Sequence, residues 1–369
     1  MKTFRNYTGG IALVLLAAGC SGEGDSSGTG PMTAHRHGHT ATLLDSGRVF
    51  IAAGLTKTDP LGSLEFYGIA DERFMAISAP GLRPRGWHRA SRLKDGKILL
   101  TGGWTHGNVA LREAAIISPA GGAPTLLKMN AARFDHTITE LKDGSFLISG
   151  GNDAKRAIRD MEIFSPLDGA FTLTRPLYAA RQQHTATLLE DRTVLIVGGA
   201  SGPGERYSEI YHPSRRRTTL VRKALSIPRS RHTATLLPGG RVLLAGGLGP
   251  TGTLDTAEIY DLGTSSFILL NKKMDTARQQ HTATRLPDGR VLFLGGWGKG
   301  KTLLSGEIFD PEGECFLQLG SSLRFERRLH TATLLPDERV LIAGGASDIE
   351  VLDSAELLKI PPRGSGCKK

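Results

Sequence analysis

Short apolar runs alternate with turn residues along most of the chain, and this pattern predicts β-strands. From His232 to Gly247 the sequence HTATLL is followed by the turn PGGR and then by VLLAGG. After a variable loop, two more short runs follow, Ala257–Asp261 and Phe267–Leu270. Apolar runs of about four to eight residues bounded by turn residues are typical of strands, and these segments show no helical periodicity. The chain is therefore predicted to be all-β.

The same unit recurs seven times along the chain. Each copy has an arginine, a histidine three residues later and a glycine fifteen residues after the histidine, and successive copies are 48 or 49 residues apart. The repeat arginines are Arg36, Arg85, Arg133, Arg181, Arg229, Arg278 and Arg327, and the repeat histidines are His39, His88, His136, His184, His232, His281 and His330. Four short antiparallel strands in a unit of this length form one propeller blade, so the sequence predicts a seven-bladed β-propeller.

The repeats resemble those of the kelch family. In six of seven copies the conserved glycine is preceded by a second glycine, and the first copy has Ala53 there instead. Four copies pair an aromatic in the third strand with a phenylalanine seven residues later: Tyr67 with Phe74, Phe164 with Phe171, Tyr260 with Phe267, and Phe309 with Phe316. In kelch repeats the second aromatic is a tryptophan, so the phenylalanine is a departure. The resemblance covers residues 36 to about 360 and implies kelch-type four-stranded blades, in the superfamily that includes the central domain of galactose oxidase.

Closure of the ring depends on how the last blade obtains its fourth strand. The seventh copy runs through the strand-like segment Ala355–Ile360 and then meets Pro361 and Pro362, with no evident fourth strand. Residues 22–30 are rich in glycine and poor in strand-forming residues. We therefore expect either a three-stranded last blade or a weak outer strand made from terminal residues.

The repeated polar residues are expected to hold the scaffold together. A glutamate opens the third strand in six copies, and the second copy has Ala115 instead. These repeat glutamates are Glu65, Glu162, Glu209, Glu258, Glu307 and Glu356. The repeat arginines and glutamates are expected at the same end of each blade, so we predict a ring of ion pairs in which Arg85 lacks this partner. The repeat histidines are expected to satisfy backbone groups where blades meet.

The N-terminus resembles that of a bacterial lipoprotein. Lys2 and Arg5 precede the apolar run of residues 11–18, which is too short to span a membrane, and small residues lead to Cys20. The resemblance implies a signal peptide at residues 1–19 and a lipidated Cys20. The expected domains after the signal peptide are the lipidated cysteine with a Gly/Ser linker at 20–34, the propeller at 35–361 and a tail at 362–369. Ser21 resembles the signal for sorting to the outer membrane of a Gram-negative bacterium. A plain secretion signal with an incidental cysteine is the alternative.

Composition and charge limit the partners. The 369 residues carry a formal charge of +10, with 47 glycines and three cysteines. Positive charge is compatible with nucleic acid, but an exported lipoprotein is expected to meet acidic polysaccharide or lipid headgroups instead. The membrane is expected as a partner through the lipid anchor, and the protein is expected to be a monomer. Cys315 and Cys367 could pair in an oxidising compartment, and the sequence leaves this open.

Candidate ligand contacts lie in the loops that follow the paired glycines, because these loops differ between copies. The candidates are Trp104, His106, Lys155, Arg156, Arg206, Tyr207, Trp297 and Lys299. Exposed aromatic and cationic side chains are common in contacts to carbohydrate or peptide. The same residues are equally consistent with ordinary solvated loops.

The sequence shows no phosphate-binding loop, zinc spacing, nucleophile elbow or isolated carboxylate pair. The predicted function is a non-catalytic binding or scaffold module at the cell envelope, with no catalytic residue, metal or cofactor, recognising a protein or polysaccharide. The alternative is a copper oxidoreductase resembling galactose oxidase. That family requires a tyrosine cross-linked to cysteine, two histidine ligands and a second tyrosine, and Cys315 is expected on the face away from the variable loops.

Overall fold

Seven four-stranded antiparallel sheets surround a central axis in the computed structural model, which describes residues 26–200 and 207–363. The innermost strand of each sheet contacts the innermost strand of the next sheet, and the seventh sheet contacts the first. This closed arrangement confirms the predicted all-β, seven-bladed propeller. The sheets are numbered as blades 1 to 7 in chain order of their inner strands.

The strands of the first four blades follow one after another along the chain. Strand β1 (Ser26–Gly28) precedes them. Blade 1 contains β2 (Thr40–Leu43), β3 (Val49–Leu55), β4 (Pro60–Gly68) and β5 (Arg73–Ile77). Blade 2 contains β6 (Arg89–Arg92), β7 (Ile98–Thr101), a small hairpin of β8 (Trp104–Thr105) and β9 (Val109–Ala110), then β10 (Glu113–Ile117) and β11 (Thr125–Lys128). Blade 3 contains β12 (Thr137–Glu140), β13 (Phe146–Ser149), β14 (Met161–Ser165) and β15 (Ala170–Leu173). Blade 4 contains β16 (Thr185–Leu188), β17 (Val194–Val197), β18 (Glu209–His212) and β19 (Arg217–Leu220).

The last three blades repeat this order. Short 3-10 turns occur at Pro213–Arg215 in blade 4 and at Pro238–Gly240 in blade 5. Blade 5 contains β20 (Thr233–Leu236), β21 (Val242–Ala245), the hairpin of β22 (Leu248–Gly249) and β23 (Gly252–Thr253), then β24 (Ala257–Asp261) and β25 (Ser266–Leu269). Blade 6 contains β26 (Thr282–Arg285), β27 (Val291–Leu294), the hairpin of β28 (Trp297–Gly298) and β29 (Lys301–Thr302), then β30 (Ser305–Asp310) and β31 (Cys315–Ser321). Blade 7 contains β32 (Thr331–Leu334), β33 (Arg339–Ala343) and β34 (Ala355–Lys359).

The hydrophobic core lies between neighbouring blades. The second strand of each blade is its most apolar strand, and every residue of β21 and β27 is buried. Leu243 and Ile259 of blade 5 pack in one cluster with Phe293 and Phe309 of blade 6. Both faces of the sheets are therefore covered, because each blade supplies half of two clusters.

The predicted aromatic pairs lie directly opposite each other on the third and fourth strands. The ring centroids of Tyr67 and Phe74 are 5.0 Å apart, and those of Phe164 and Phe171 are 4.8 Å apart. Cross-strand aromatic contacts at this distance contribute about 0.5–1.5 kcal/mol beyond area burial. The seven-residue spacing therefore corresponds to a cross-strand pair.

The N-terminal strand closes the ring. Strand β1 pairs antiparallel with β34 through Ser26–Leu358, Ser27–Leu357 and Gly28–Glu356, so blade 7 has four strands. The expected three-stranded last blade is wrong, and the alternative of an outer strand from terminal residues is correct. Backbone pairing requires no side chain, so a Gly/Ser segment can satisfy the free edge of β34. Met32 is buried after this strand, within the stretch for which the sequence predicts a linker.

Two further features bear on the N- and C-terminal predictions. Cys315 is disulfide-bonded, and the other two cysteines of the chain, Cys20 and Cys367, lie outside the described residues. The expected signal peptide and lipidation site also lie outside them. Within the described ranges, no helix has the length and apolar character needed to cross a membrane.

Candidate functional site

The repeat arginines are fully buried and each contacts a glutamate of its own blade. The Nη2 atom of Arg133 is 2.6 Å from Glu162 Oε1, and the Nη1 atom donates to the carbonyls of Gly150 and Asp160. The carboxylate of Glu162 also accepts from the backbone N–H of Asn130, at 2.6 Å. The same contacts recur around the ring, in the pairs Arg36–Glu65, Arg181–Glu209, Arg229–Glu258, Arg278–Glu307 and Arg327–Glu356. Each pair ties the segment entering a blade to the blade's third strand.

Blade 2 forms its ion pair with a different glutamate. Arg85 was expected to lack a partner because Ala115 replaces the repeat glutamate, but Arg85 contacts Glu113. Residues two apart on a strand point to the same face, so Glu113 can reach the guanidinium from two positions earlier. The expectation of one unpaired arginine is therefore wrong.

The repeat histidines bind hydroxyl groups of the neighbouring blade. His88 Nε2 lies 2.9 Å from Thr40 Oγ1, and His232 Nε2 lies 3.0 Å from Thr185 Oγ1. The same contact from histidine to a preceding threonine occurs in six blades, including His39 to Thr331 across the closing junction. The expected partners were backbone groups. The histidine rings instead contact threonine hydroxyls of the inner strands, which accept or donate these hydrogen bonds.

Two variable positions separate the repeat arginine from the repeat histidine in every copy. The second of them is held in the same unusual conformation throughout, with φ between +52° and +59°, in Gly38, Trp87, Asp135, Gln183, Arg231, Gln280 and Leu329. The backbone N–H of each donates to the carbonyl of its counterpart in the preceding blade, at 2.9–3.2 Å. The bond from Gly38 to Leu329 completes a ring of seven. Non-glycine residues rarely adopt this φ, and here both backbone groups are fixed by neighbouring blades.

An axial cavity opens where this ring surrounds the propeller axis. Its volume is about 420 Å³, and side chains from the variable positions form most of its wall. Blades 2 and 3 supply an aromatic part, in which the rings of Trp87 and Phe134 are 5.9 Å apart. Blades 3 to 6 supply a polar part with Asp135, Gln183 and Arg231. An apolar wall with a few convergent polar groups is the usual composition of a small-molecule site.

The polar part of the axial cavity is a continuous hydrogen-bond network across successive blades. Gln183 Nε2 donates to Asp135 Oδ2 at 3.0 Å, and Arg231 Nε donates to Gln183 Oε1 at 2.9 Å. Arg231 Nη1 reaches Gln279 Oε1 at 3.3 Å. Because each residue comes from a different blade, the network depends on the closed ring. It holds Asp135 and Arg231 at defined positions.

Arg89 is a further charged side chain of this wall. It occupies the inner-strand position at which the other six blades have the threonine that binds a histidine. Thr101 of the adjacent strand takes over that contact, with Oγ1 at 2.8 Å from His136 Nε2. The scaffold therefore accommodates Arg89 without losing the histidine contact.

Burial shifts the pKa values of the groups that line the cavity. Desolvation raises the pKa of Asp135 above its usual value, with Arg89, Gln183 and Arg231 acting in the opposite direction. Desolvation lowers the pKa of Arg89, with Asp135 opposing it. Burial also lowers the pKa of His232 to about 3, and the positive charge of Arg229 adds to the effect. The cavity histidines are therefore neutral at physiological pH, whereas Asp135 is a perturbed carboxyl in a cleft.

None of the described residues that the sequence predicts as ligand contacts belongs to the cavity wall. The ring of Trp104 is tilted against that of Trp87, with 5.7 Å between ring centroids, and its Nε1 donates to Asn108 Oδ1. Tyr207 packs edge-on against Tyr178 at 5.7 Å. Three others are exposed on loops, namely His106, Lys155 and Arg156. Trp297 is half-buried at the start of a hairpin, Lys299 is exposed, and Arg206 lies outside the described residues. Their role as ligand contacts stays a prediction.

The cavity residues can be recognised in the sequence by their variability, although the search for repeated residues does not select them. The arginine and histidine of each copy are constant, whereas the two residues between them vary among the copies, and only the fourth and sixth copies share a pair, Gln-Gln. In a propeller, residues that recur in every blade build the scaffold. A variable position between two such residues is one where the fold does not dictate the side chain, so that side chain can serve binding. Arg89 carries a second signal, since it alone replaces a threonine present in the six other copies.

The donor set of a copper site of the galactose oxidase kind is not found in the described part of the chain. No group of three or more His, Cys, Asp or Glu side chains there could hold a metal ion. The cavity wall contains three histidines but neither tyrosine nor cysteine. The Nε2 atoms of His184, His232 and His281 already bind threonine hydroxyls. These residues do not fit the copper and tyrosine–cysteine chemistry of that family.

Comparison with known proteins gives a structural neighbour. No family model and no curated protein sequence matches the chain. Among solved structures, a fungal alcohol oxidase of the AA5 family in complex with copper matches with a TM-score of 0.76 and 17% identity. The match covers 92% of this chain and 76% of the oxidase. It shows that the two proteins share the seven-bladed propeller fold.

This neighbour changes the functional expectation. The prediction of a non-catalytic binding or scaffold module, and of a chain that is not an enzyme, is contradicted by the likeness to an alcohol oxidase. The copper-oxidase alternative is the better supported of the two. At 17% identity the likeness establishes the fold alone, and no family model identifies the repeats as kelch repeats.

Proposed function

We propose that the chain is an enzyme whose active site is the axial cavity and whose substrate is a small hydroxyl-bearing molecule of the alcohol or carbohydrate class. The observation that carries this proposal is the non-repeating network of Asp135, Gln183 and Arg231 facing the cavity. The repeat arginines and histidines around it serve the scaffold. The likeness to an alcohol oxidase supports an enzyme on this fold.

Asp135 is the proton-transferring group of the proposed site. Its raised pKa brings the carboxyl nearer to neutral pH, where a general base is most effective. Gln183 Nε2 donates to Oδ2, and among the described residues no donor contacts Oδ1, so we assign Oδ1 as the acceptor of the substrate proton. In the transfer, the O–H bond of a substrate hydroxyl breaks and an O–H bond forms on the Asp135 carboxylate. Arg89 opposes the rise in pKa, which keeps the carboxylate form available.

The aromatic part of the cavity supports the same substrate class. Trp87 and Phe134 offer flat apolar faces beside a row of hydrogen-bonding groups. A polyhydroxylated ring has C–H-rich faces and hydroxyl edges, so the two parts of the wall match its two kinds of surface.

The test is conversion of a panel of sugars and polyols by the purified protein, followed by NMR in deuterated buffer. We expect turnover of at least one member, and a loss of at least about 100-fold in Asp135→Asn, the scale of a lost general base. Asp45→Asn is the matched control, because Asp45 is exposed on the rim of another blade. Full turnover by Asp135→Asn would contradict the role assigned to this carboxyl.

Copper-dependent alcohol oxidation is the second candidate function, favoured by the identity of the structural neighbour. The described residues lack its donor set, so no step of it is assigned to them. Incubation with Cu²⁺ in air, followed by metal analysis and a peroxide assay with primary alcohols, tests it directly. Stoichiometric copper with peroxide formation would establish this function in place of the acid–base one.

We further propose that the protein is exported and anchored through a lipidated Cys20. The apolar run before that cysteine supports this, and so does the disulfide at Cys315, because disulfides persist in oxidising compartments. We expect incorporation of an alkyne-tagged fatty acid and recovery in the membrane fraction, both lost in Cys20→Ala. Cys20→Ala found in the membrane fraction with the label retained would contradict lipidation at this residue.

A further inference from the structure

We infer that the substrate of the axial cavity carries a carboxylate, bound by the guanidinium groups of Arg231 and Arg89. This inference rests on the proposed function for the location of the site, and it adds the charge of the ligand. An acidic sugar or other hydroxy acid is the class of molecule that it selects.

Arg231 keeps free donors that face the cavity. A guanidinium has five N–H groups, and Arg231 uses Nε on Gln183 and Nη1 on Gln279. Both acceptors are neutral amides, and within the described ranges no carboxylate oxygen lies within 4.0 Å of this guanidinium. The remaining N–H groups can form the two parallel bonds that arginine makes with a carboxylate.

Arg89 is the second cation of the cavity wall, and it has no ion-pair partner within the described ranges either. Its one hydrogen bond to the described residues goes from Nη1 to the carbonyl of His88, at 3.2 Å. Asp135 acts on it only through longer-range attraction. By contrast, all seven repeat arginines have a glutamate in direct contact. The two cavity arginines thus differ from the repeat arginines, because no carboxylate of the described part of the chain forms an ion pair with them.

The charge of the cavity wall fits a singly charged anion. Arg89 and Arg231 contribute two positive charges and Asp135 one negative charge, while the three histidines of the wall are neutral. Both arginines are half-buried, and a bound carboxylate would give their partly desolvated charges a counter-ion. A phosphate dianion would overcompensate this charge and would meet repulsion from Asp135.

The position of Arg89 supports a role outside the scaffold. Six blades have threonine here, and blade 2 loses the threonine and recovers its histidine contact through Thr101. Substitution by the scaffold's own residue, Arg89→Thr, therefore removes the charge without disturbing the ring. This makes it a variant that is expected to fold.

The experiment compares binding of matched pairs of ligands by calorimetry and ligand-observed NMR. The probes are D-glucuronate with D-glucose and D-galacturonate with D-galactose, together with gluconate, acetate and sulfate as simpler anions. The variants are Arg89→Thr and Arg231→Gln. The matched control is Arg328→Gln, which removes a charge from the same kind of loop at a residue whose partner is Asp348 rather than the cavity.

We expect the hydroxylated carboxylates to bind at least tenfold more tightly than the neutral sugars, since a charge-assisted bond contributes about 1.5–3 kcal/mol. The preference should fall at least tenfold in each cavity variant and stay unchanged in Arg328→Gln. Equal binding of acidic and neutral partners overturns the inference. So does a preference that survives both cavity variants, or acetate and sulfate binding as tightly as the hydroxy acids.

Binding and turnover separate this inference from the proposed function. Charge-dependent binding without conversion of any probe would leave the carboxylate site standing and remove the enzymatic proposal. Conversion of neutral sugars that depends on Asp135, together with equal binding of the acidic and neutral probes, would support the proposed function and overturn this inference.

Discussion

Individual buried residues hold the blades in place, and the repeat arginine is the most connected of them. Arg133 is fully buried and contacts Glu162, Gly150 and Asp160 at once. Burial lowers the pKa of this arginine, while Glu162 opposes the shift. Because charge and partner are buried together, removing one of them leaves the other without water or counter-ion.

Glu162→Ala is therefore expected to lower the free energy of unfolding by about 3–5 kcal/mol, the usual cost of breaking a buried ion pair. Urea unfolding of the purified protein measures it. Asp45→Ala, which removes the exposed partner of Arg92, should show no resolvable change. Equal effects of the two substitutions would mean that the buried pair contributes no more than a surface pair.

The repeat histidines make stability depend on acid pH. Their pKa values are held well below the ordinary value of 6.5, and that of His232 lies at about 3, so the folded state binds fewer protons than the unfolded chain over this interval. Stability should be fully present above pH 6.5 and fall as the pH drops towards 3. Each histidine adds about 1.4 kcal/mol per pH unit to the slope. Urea midpoints between pH 7 and 4 measure it, and a flat profile would contradict it.

At the scale of elements, blade 2 shows how a lost contact can be restored from a neighbouring position. Glu113→Ala should destabilise the protein, since it leaves Arg85 without a carboxylate. Adding Ala115→Glu returns the glutamate to the position used by the six other blades and should recover part of the thermal stability. Ala115→Glu alone is the control. A double variant no more stable than Glu113→Ala would show that blade 2 has lost the space for the repeat glutamate.

The closing blade gives a second prediction at this scale. A chain beginning at residue 31 lacks β1 and exposes the edge of β34, so it should melt below a chain beginning at residue 22. Thermal unfolding of the two chains measures the difference, and aggregation of the shorter chain is expected from its free edge. Identical melting temperatures would mean that β1 contributes nothing to closure.

The elements that could be predicted are those that repeat. Blade number, strand order and aromatic pairs follow from patterns that occur many times, so one irregular copy does not obscure them. An outer strand from terminal residues could be named only as an alternative, because the Ser-Ser-Gly sequence of β1 has no apolar alternation and its pairing depends on the free edge of β34. The axial cavity was missed for a related reason. Asp135, Gln183 and Arg231 are 48 residues apart and meet only when the ring closes.

At the scale of the whole molecule, the propeller behaves as one unit, because two closed rings of backbone hydrogen bonds run through all seven blades. Besides the ring at the second variable position, the N–H of each conserved glycine donates to the carbonyl of the next repeat arginine, as from Gly54 to Arg85 and from Gly345 to Arg36. Neither ring has a free end. The blades should therefore unfold together rather than one by one.

Removal of one repeat tests this expectation. A chain without residues 133–180 keeps six intact copies but must close with a different angle between blades. We expect loss of the cooperative thermal transition and of monodispersity, measured by circular dichroism and gel filtration. A stable six-bladed monomer would show that the packing between blades adapts more readily than the two backbone rings imply.

The ring of residues with positive φ has a consequence for how such a protein can change over evolution. At each of these positions both backbone groups are committed to neighbouring blades, and the conformation is kept by glycine, tryptophan, leucine and charged or amide residues alike. Side-chain identity is thereby uncoupled from the fold. A single mutation in any one blade can alter what the cavity accepts while the scaffold persists, so new specificities are accessible through a series of small, separately tolerated steps.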